Sequence, residues 1–115
     1  MQAGNTVPTL DRNQLRDVTL DDQELMRELL SALIDDTSRQ ILVLDAAIRE
    51  ADSPQCVRLA HYSKGACANM GAKAAAAVLQ KIEKTAAAGD FAECSASLHI
   101  LSGEIERLRE EARSL

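Results

Sequence analysis

The chain has 115 residues and a net charge of −5, and 46% of its residues are apolar but only 2% are aromatic. That length fits one domain with a buried core, and the scarcity of aromatic residues favours helices over sheets. An acidic chain lacks the basic surface that binds nucleic acid or anionic membranes. No apolar run approaches the roughly 20 residues of a membrane span, and residues 1–9 do not resemble a secretory signal. We therefore expect a cytoplasmic protein.

The three cysteines do not form a recognisable framework. Cys56, Cys67 and Cys94 are too few and too scattered for a disulfide scaffold or a zinc site. Each falls on the apolar stripe of a predicted helix, so we expect reduced thiols in the core and no metal site.

The first predicted elements are a disordered tail over residues 1–8 and a folded domain over residues 9–115. Apolar residues at Leu10, Leu15 and Val18 predict a short leading helix that covers one end of the domain. Thr19, followed three residues later by an aspartate, is the predicted N-cap of a long helix that runs to about Asp52. Its apolar stripe has spacings of three and four, at Met26, Leu29, Leu30, Leu33, Thr37, Ile41, Leu44 and Ile48.

Three further helices follow. Ser53 and Pro54 are a predicted cap and first-turn proline, and Gly71 is the predicted stop of this second long helix. A third spans about residues 73–88, and a fourth runs from Phe91 almost to the C-terminus. Four amphipathic helices with short connections predict an all-α fold, an antiparallel up-down four-helix bundle with a short N-terminal lid helix.

His61 is the residue of chemical interest on the second long helix. The apolar stripe of this helix comprises Cys56, Leu59, Ser63, Ala66, Cys67 and Met70. At about 100° per residue, His61 lies roughly 170° from the centre of the stripe. The histidine is therefore predicted to face away from the core.

The neighbours of His61 are unusual for a solvated helix face. Lys64 and Gly65 share its side of the helix, and Val57 and Ala68 complete a patch of small or apolar groups. A glycine inside a helix costs about 1 kcal/mol relative to alanine. Close approach of another molecule is the function that would justify this cost.

The turn between the second and third long helices relates His61 to an acid. If it centres near Ala72, His61 precedes it by eleven residues and Glu83 follows it by eleven. In an antiparallel pair these positions lie at similar heights, so Glu83 is predicted to hold one ring nitrogen as a donor and leave the other free to react.

The segment A-H-Y-S-K-G-A-C-A-N-M-G-A over residues 60–72 resembles the motif A-H-x-L-K-G-x-x-x-x-x-G-A of histidine-containing phosphotransfer (HPt) domains. Ile82 and Glu83 resemble the family's usual L-E at the same offset, although some relatives carry glutamine for the acid. The resemblance covers about residues 9–113. Ser63 departs from it, because the family usually has leucine there, and we expect Tyr62 or a methionine to fill the space.

The resemblance implies a phosphoryl carrier without ATP-dependent kinase activity. His61 would accept a phosphoryl group from a receiver-domain aspartate or a sensor histidine kinase and pass it to a response-regulator receiver. Neutral imidazole is a competent nucleophile near pH 7. Lys64 would neutralise phosphoryl oxygens and Gly65 would leave clearance for the partner. Supporting roles fall to Val57, Ala68, Gly71 and Glu83.

The implied protein needs no cofactor of its own. No acidic cluster suited to Mg²⁺ lies near His61, so the metal is expected to come with the receiver. We expect a monomer.

The alternative is a non-catalytic helical-bundle adaptor that docks a partner or dimerises. His99 is an internal control, because Ser102 and Gly103 follow it where Lys64 and Gly65 follow His61. We interpret it as a solvated histidine or one at the rim of the core. A carboxylate-bridged metal bundle is excluded, since neither histidine has a glutamate three residues before it. A kinase dimerisation domain is disfavoured, because Tyr62 stands where an acid usually follows the histidine.

Overall fold

A computed structural model describes residues 7–115, and over this range it contains five α-helices and no strand. The predicted all-α class is therefore confirmed. The helices are α1 (Arg12–Val18), α2 (Gln23–Arg49), α3 (Ser53–Asn69), α4 (Lys73–Ala87) and α5 (Phe91–Arg113). Most of the predicted tail, residues 1–6, lies outside the described residues. Within its last part, the Pro8 carbonyl accepts a hydrogen bond from the backbone N–H of Ala74 at 3.0 Å.

Aspartates, rather than the predicted hydroxyl residues, cap four of the five helices, and α4 has no side-chain cap. The side chains of Asp11, Asp22, Asp52 and Asp90 each accept from the backbone N–H three residues on. The predicted N-cap at Thr19 is wrong, because this residue ends α1 and is buried, with its hydroxyl donating to the Leu15 carbonyl at 2.7 Å. A carboxylate at an N-cap also interacts favourably with the positive end of the helix dipole, which an uncharged hydroxyl does not.

The predicted cap at Ser53 is also wrong, and the residue has a different function. Asp52 caps α3, so Ser53 occupies the first position inside the helix. Its hydroxyl donates to the Ala86 carbonyl at 2.6 Å, near the end of α4. This contact connects the start of α3 to the end of α4.

The four longer helices pack side by side around one core. Both α2 and α4 contact α3 and α5, which gives each of the four helices two neighbours. The largest fully buried core side chains are Leu15, Leu30, Leu44, Leu79, Ile82, Leu101, Ile105 and Leu108. The stripe predicted for α2 was wrong at Leu29, which is 37% exposed, and it omitted the buried Ile34. An ideal helical period does not decide which residues at the edge of an apolar stripe are buried.

Helix α1 lies where α3 passes into α4. The backbone N–H of Asp11 donates to the Gly71 carbonyl at 2.8 Å, and the Gln14 side chain donates to the Ala68 carbonyl at 2.7 Å. Arg12 forms a 2.7 Å ion pair with Glu111, near the end of α5. Leu15 is the buried residue of α1.

Candidate functional site

His61 lies on the exterior of α3, facing α4. Its side chain is 68% exposed, and its Nδ1 is 3.1 Å from Oε2 of Glu83. The exposure of its side chain confirms the predicted outward orientation of the histidine, and the contact confirms the predicted approach of Glu83. Two residues on different helices meet here because the short turn after Met70 aligns α3 and α4 at matching heights.

Lys64 completes a three-residue cluster with His61 and Glu83. Its Nζ donates to Oε1 of Glu83 at 2.8 Å, so one carboxylate contacts the imidazole through one oxygen and the ammonium through the other. The Lys64 ammonium lowers the pKa of Glu83 below its ordinary value; partial burial opposes this effect, and the His61 imidazole adds to it. Glu83 is therefore ionised at neutral pH and accepts both hydrogen bonds.

The Lys64–Glu83 contact was not predicted. Sequence reasoning placed Glu83 against the imidazole and left the lysine free for a ligand. The sequence did indicate this contact, because Lys64 follows His61 by three positions and so lies on the same helix face. A side chain that shares the face of His61 also faces the acid opposite it.

Gly65 borders an open cleft next to this cluster. A Cβ at Gly65 would have no heavy atom within 4 Å, so glycine is not required here by packing within the chain. The cleft has a volume of about 510 Å³, and its lining includes Ala68 on α3 and the pair Ala76 and Ala77 on α4. Gln14 of α1 also lines it, a contribution that no sequence pattern indicated.

The two other predicted supporting residues, Val57 and Gly71, precede and follow His61 along the chain. Val57 is half-buried and packs against the core. Gly71 is ten residues from His61, about 15 Å along a helix axis. It has a φ of +84°, and an added Cβ would lie 2.7 Å from the Asp11 carbonyl oxygen. The geometry of the turn, which only glycine adopts without strain, explains Gly71.

Ser63 is buried in the core side of α3. It is 2% exposed, and its hydroxyl has no hydrogen-bond partner within residues 7–115. The expectation that Tyr62 fills the space of the missing leucine is wrong. Tyr62 is 56% exposed and its hydroxyl lies 3.4 Å from Oδ2 of Asp36 on α2, because it is 100° further round the helix than Ser63.

The cysteines and the second histidine lie outside this cluster. Cys56, Cys67 and Cys94 are buried and free, as predicted. Burial raises the pKa of the Cys67 thiol to about 11 and also raises the pKa of Cys56, so these two thiols stay protonated at neutral pH. His99 is exposed on α5. Over residues 7–115, no group of three or more His, Cys, Asp or Glu side chains could hold a metal ion.

Comparison with known proteins identifies the family. The model of the Hpt domain family matches residues 28–111, which include His61, Lys64, Gly65 and Glu83. The chain belongs to the Hpt domain family. Hpt proteins are phosphocarriers rather than autonomous catalysts and interact with receiver domains and histidine kinases, so membership supports a phosphotransfer role in phosphorelays.

A solved Hpt structure has a similar fold. The histidine-containing phosphotransfer protein B (HptB) from Pseudomonas aeruginosa PAO1 is 24% identical, with a TM-score of 0.85 over 95% of each chain. No curated protein matches the chain. Among the described helices of this Hpt domain, none is long and apolar enough to cross a membrane.

Proposed function

We propose that this Hpt domain is a phosphorelay intermediate in two-component signal transduction, with His61 as its phosphoacceptor. His61 takes the phosphoryl group from a receiver-domain aspartate, or from a sensor histidine kinase, and passes it to a response-regulator receiver. The contact between His61 Nδ1 and Glu83 carries this proposal, because it leaves Nε2 of the exposed ring without a hydrogen-bond partner within residues 7–115.

The reaction needs a neutral ring with its proton on Nδ1. The lone pair of Nε2 attacks the phosphorus of the aspartyl phosphate, a P–N bond forms, and the bond from phosphorus to the aspartate oxygen breaks. The aspartate leaves as a carboxylate with the bonding pair. The ring acquires positive charge while Nδ1 keeps its proton, and the Glu83 carboxylate at 3.1 Å stabilises that charge. Attack by the next receiver's aspartate reverses these steps.

Lys64 and Gly65 have complementary roles in the proposal. The Lys64 ammonium is the cation on the same helix face as His61, and it neutralises phosphoryl oxygens as a point charge. Gly65 leaves the face open, so that the partner's active site can approach the imidazole. Ala68 extends this open surface along the cleft. Val57, one helical turn before His61, packs partly buried against the core.

The scaffold we propose is an antiparallel up-down four-helix bundle with α1 as a lid at one end. Helix α1 contacts the turn between α3 and α4 through Asp11 and Gly71, and it contacts the end of α5 through Arg12 and Glu111. These contacts support a common end for the turn and the C-terminus of α5. On this scaffold His61 is displayed from the middle of α3 rather than from a mobile loop.

The remaining parts of the proposal concern what the chain does not supply. It needs no cofactor, and Mg²⁺ comes with the receiver. It has no ATP-dependent kinase activity of its own. We propose a cytoplasmic monomer whose partners are receiver domains or sensor kinases and not nucleic acid or membrane, in line with its net charge of −5.

The test mixes the purified chain with a ³²P-labelled receiver domain and Mg²⁺. We expect label on the wild-type chain that survives base and is lost in acid, as for a phosphorus–nitrogen bond. The His61→Gln variant should carry none, and the matched His99→Gln variant should be labelled like the wild type. Equal labelling of His61→Gln would overturn the proposal. A His61→Gln protein that still supported signalling would favour the adaptor alternative.

A further inference from the structure

The surface on the α2 side of His61 carries an exposed aromatic ring. Tyr62 is one of two aromatic residues in the chain, and it follows His61 directly. Phe91, the other, packs partly buried against the core, whereas Tyr62 is 56% exposed. An aromatic ring is a large apolar group that folding normally removes from water. Its position directly after His61 places this apolar face where a partner that reaches the imidazole would cover it.

The ring of Tyr62 is held in position from α2. Its hydroxyl lies 3.4 Å from Oδ2 of Asp36, and Asp36 in turn lies 3.7 Å from the guanidinium of Arg39. The polar end of the ring is satisfied in this way, and the faces of the ring remain available. Because its orientation is already restricted, the side chain loses less conformational freedom when a partner covers it.

Tyr62 and the charged cluster lie on opposite sides of the histidine. Lys64 and Glu83 contact each other on the α4 side, and Tyr62 reaches towards Asp36 on the α2 side. A domain whose aspartate reaches the imidazole must therefore lie over both sides. Tyrosine is enriched among the few interface residues that carry most of the binding energy.

We infer that Tyr62 is a specificity-determining residue for phosphotransfer, which packs its ring against apolar side chains bordering the partner receiver's phosphorylated aspartate. This inference rests on the proposed function of His61. It assigns the charged cluster to the reaction itself and the aromatic ring to recognition of the partner. A receiver with charged or strongly polar groups at the facing positions would transfer poorly.

The experiment compares two phosphoryl donors on the same chain. One is a receiver domain encoded in the same genome and labelled with ³²P, and the other is phosphoramidate, a small donor with no docking surface. The measured quantity is the ratio of kcat/KM for the receiver to the rate of His61 labelling by phosphoramidate. Dividing by the second rate removes any effect of a substitution on the imidazole itself.

We expect Tyr62→Ala to lower this ratio about tenfold through a higher KM. Tyr62→Phe, which keeps the ring and removes the hydroxyl, should stay within about threefold of the wild type. The control is Leu42→Ala on α2, an exposed apolar residue in the groove that faces α5 rather than α3, and it should not change the ratio.

A Tyr62→Ala ratio equal to that of the wild type would overturn the inference. An equal fall for Leu42→Ala would also overturn it, since the effect would then not be specific to this surface. Failure of the wild-type chain to take label from either donor would instead remove the proposed function, and the inference with it. The two failures are therefore distinguishable.

Discussion

The two histidines of this Hpt domain lie on helix exteriors and share one local feature, but their surroundings differ. Each is followed by a glycine four positions later, Gly65 after His61 and Gly103 after His99. Across from His61, α4 presents Glu83 at 3.1 Å. Across from His99, α2 presents a groove lined by Ile41, Leu42 and Asp45, and Asp45 is paired with Arg49 at 3.1 Å.

The comparison shows which features distinguish a reactive histidine from a solvated one. An exposed imidazole and a nearby glycine occur twice in the chain, so they do not define a site. Of the two histidines within residues 7–115, only His61 forms a hydrogen bond to a carboxylate from a neighbouring helix. That carboxylate also contacts a lysine on the face of the histidine. The difference therefore comes from an acid on the neighbouring helix, Glu83, together with a lysine on the histidine's own helix, Lys64.

The largest expected effect on the rate of phosphoryl transfer comes from removing the Lys64 ammonium. Lys64→Ala removes the charge available to the phosphoryl oxygens, and we expect transfer from a phosphorylated receiver to slow by about 10- to 100-fold, somewhat less than the loss of an oxyanion-hole donor. The matched control is Lys81→Ala, which breaks another 2.8 Å pair, Lys81–Glu93, involving α4. The exposed Lys81–Glu93 pair contributes about 0–1 kcal/mol to stability. The Lys64–Glu83 pair is part-buried but still reaches water, so both variants should fold.

Rapid-quench kinetics measure the rate of phosphoryl transfer. The rate for Lys81→Ala should match the wild-type rate within about twofold, because this substitution removes only an exposed ion pair. If Lys64→Ala matched the wild type as well, the ammonium would serve only to hold Glu83. The distinction between the two histidines would then depend on the carboxylate alone.

The two glycines allow a second test with an intermediate effect. Gly65→Gln places a long side chain over the open face beside His61, and we expect transfer to slow about tenfold, because the partner loses clearance. The bundle itself should be as stable or more stable by up to about 1 kcal/mol, since glutamine is the better helix former. No heavy atom lies within 4 Å of the added Cβ, so the chain accommodates the substitution.

Gly103→Gln on α5 is the control for this glycine test. Its added Cβ would meet only the end of the Arg107 side chain, at 3.9 Å. We expect the same gain in stability in urea unfolding, with transfer unchanged. Unchanged transfer in Gly65→Gln would show that clearance is not the reason for glycine beside His61.

Much of the site was predictable because it depends on helical geometry alone. The outward orientation of His61 follows from its position relative to the apolar stripe, and the height of Glu83 follows from the length of the turn. On α5 the apolar residues Cys94, Leu98, Leu101, Ile105 and Leu108 alternate spacings of four and three, and all of them are buried. Such features depend on spacings of three and four along a helix and on short turns that make successive helices antiparallel. Both can be recognised in the sequence.

The errors fall where two local explanations compete. Thr19 and Asp22 are both good capping residues, and only tertiary burial of Thr19 shows that the aspartate begins α2. Ser63 and Tyr62 are adjacent, and a rotation of 100° decides which of them enters the core. The contact from Gln14 to α3 joins residues 54 apart, and no periodicity encodes such a pairing.

The smallest effect expected concerns the charge pair itself and its pH dependence. The Lys64 ammonium lowers the pKa of Glu83 below its ordinary value of 4.5. A carboxylate whose pKa is lower in the folded than in the unfolded chain stabilises the fold fully above the unfolded value, and this stabilisation is lost as pH falls through the folded value. The wild type should therefore lose more stability below about pH 4.5 than Glu83→Gln does.

Urea unfolding at several pH values between about 3 and 7 measures this difference, which should be confined to the acidic half of the range. Comparing the two proteins cancels the contribution of every other carboxylate. Lys64→Ala should reduce the acid sensitivity in the same way, because the main cause of the lowered pKa is gone. Combining Lys64→Ala with Glu83→Gln should reduce the acid sensitivity little further than either substitution alone, since both remove the same interaction. Parallel acid profiles for wild type and Glu83→Gln would mean that the Lys64–Glu83 pair makes no net contribution to folding, leaving its role to the chemistry at His61.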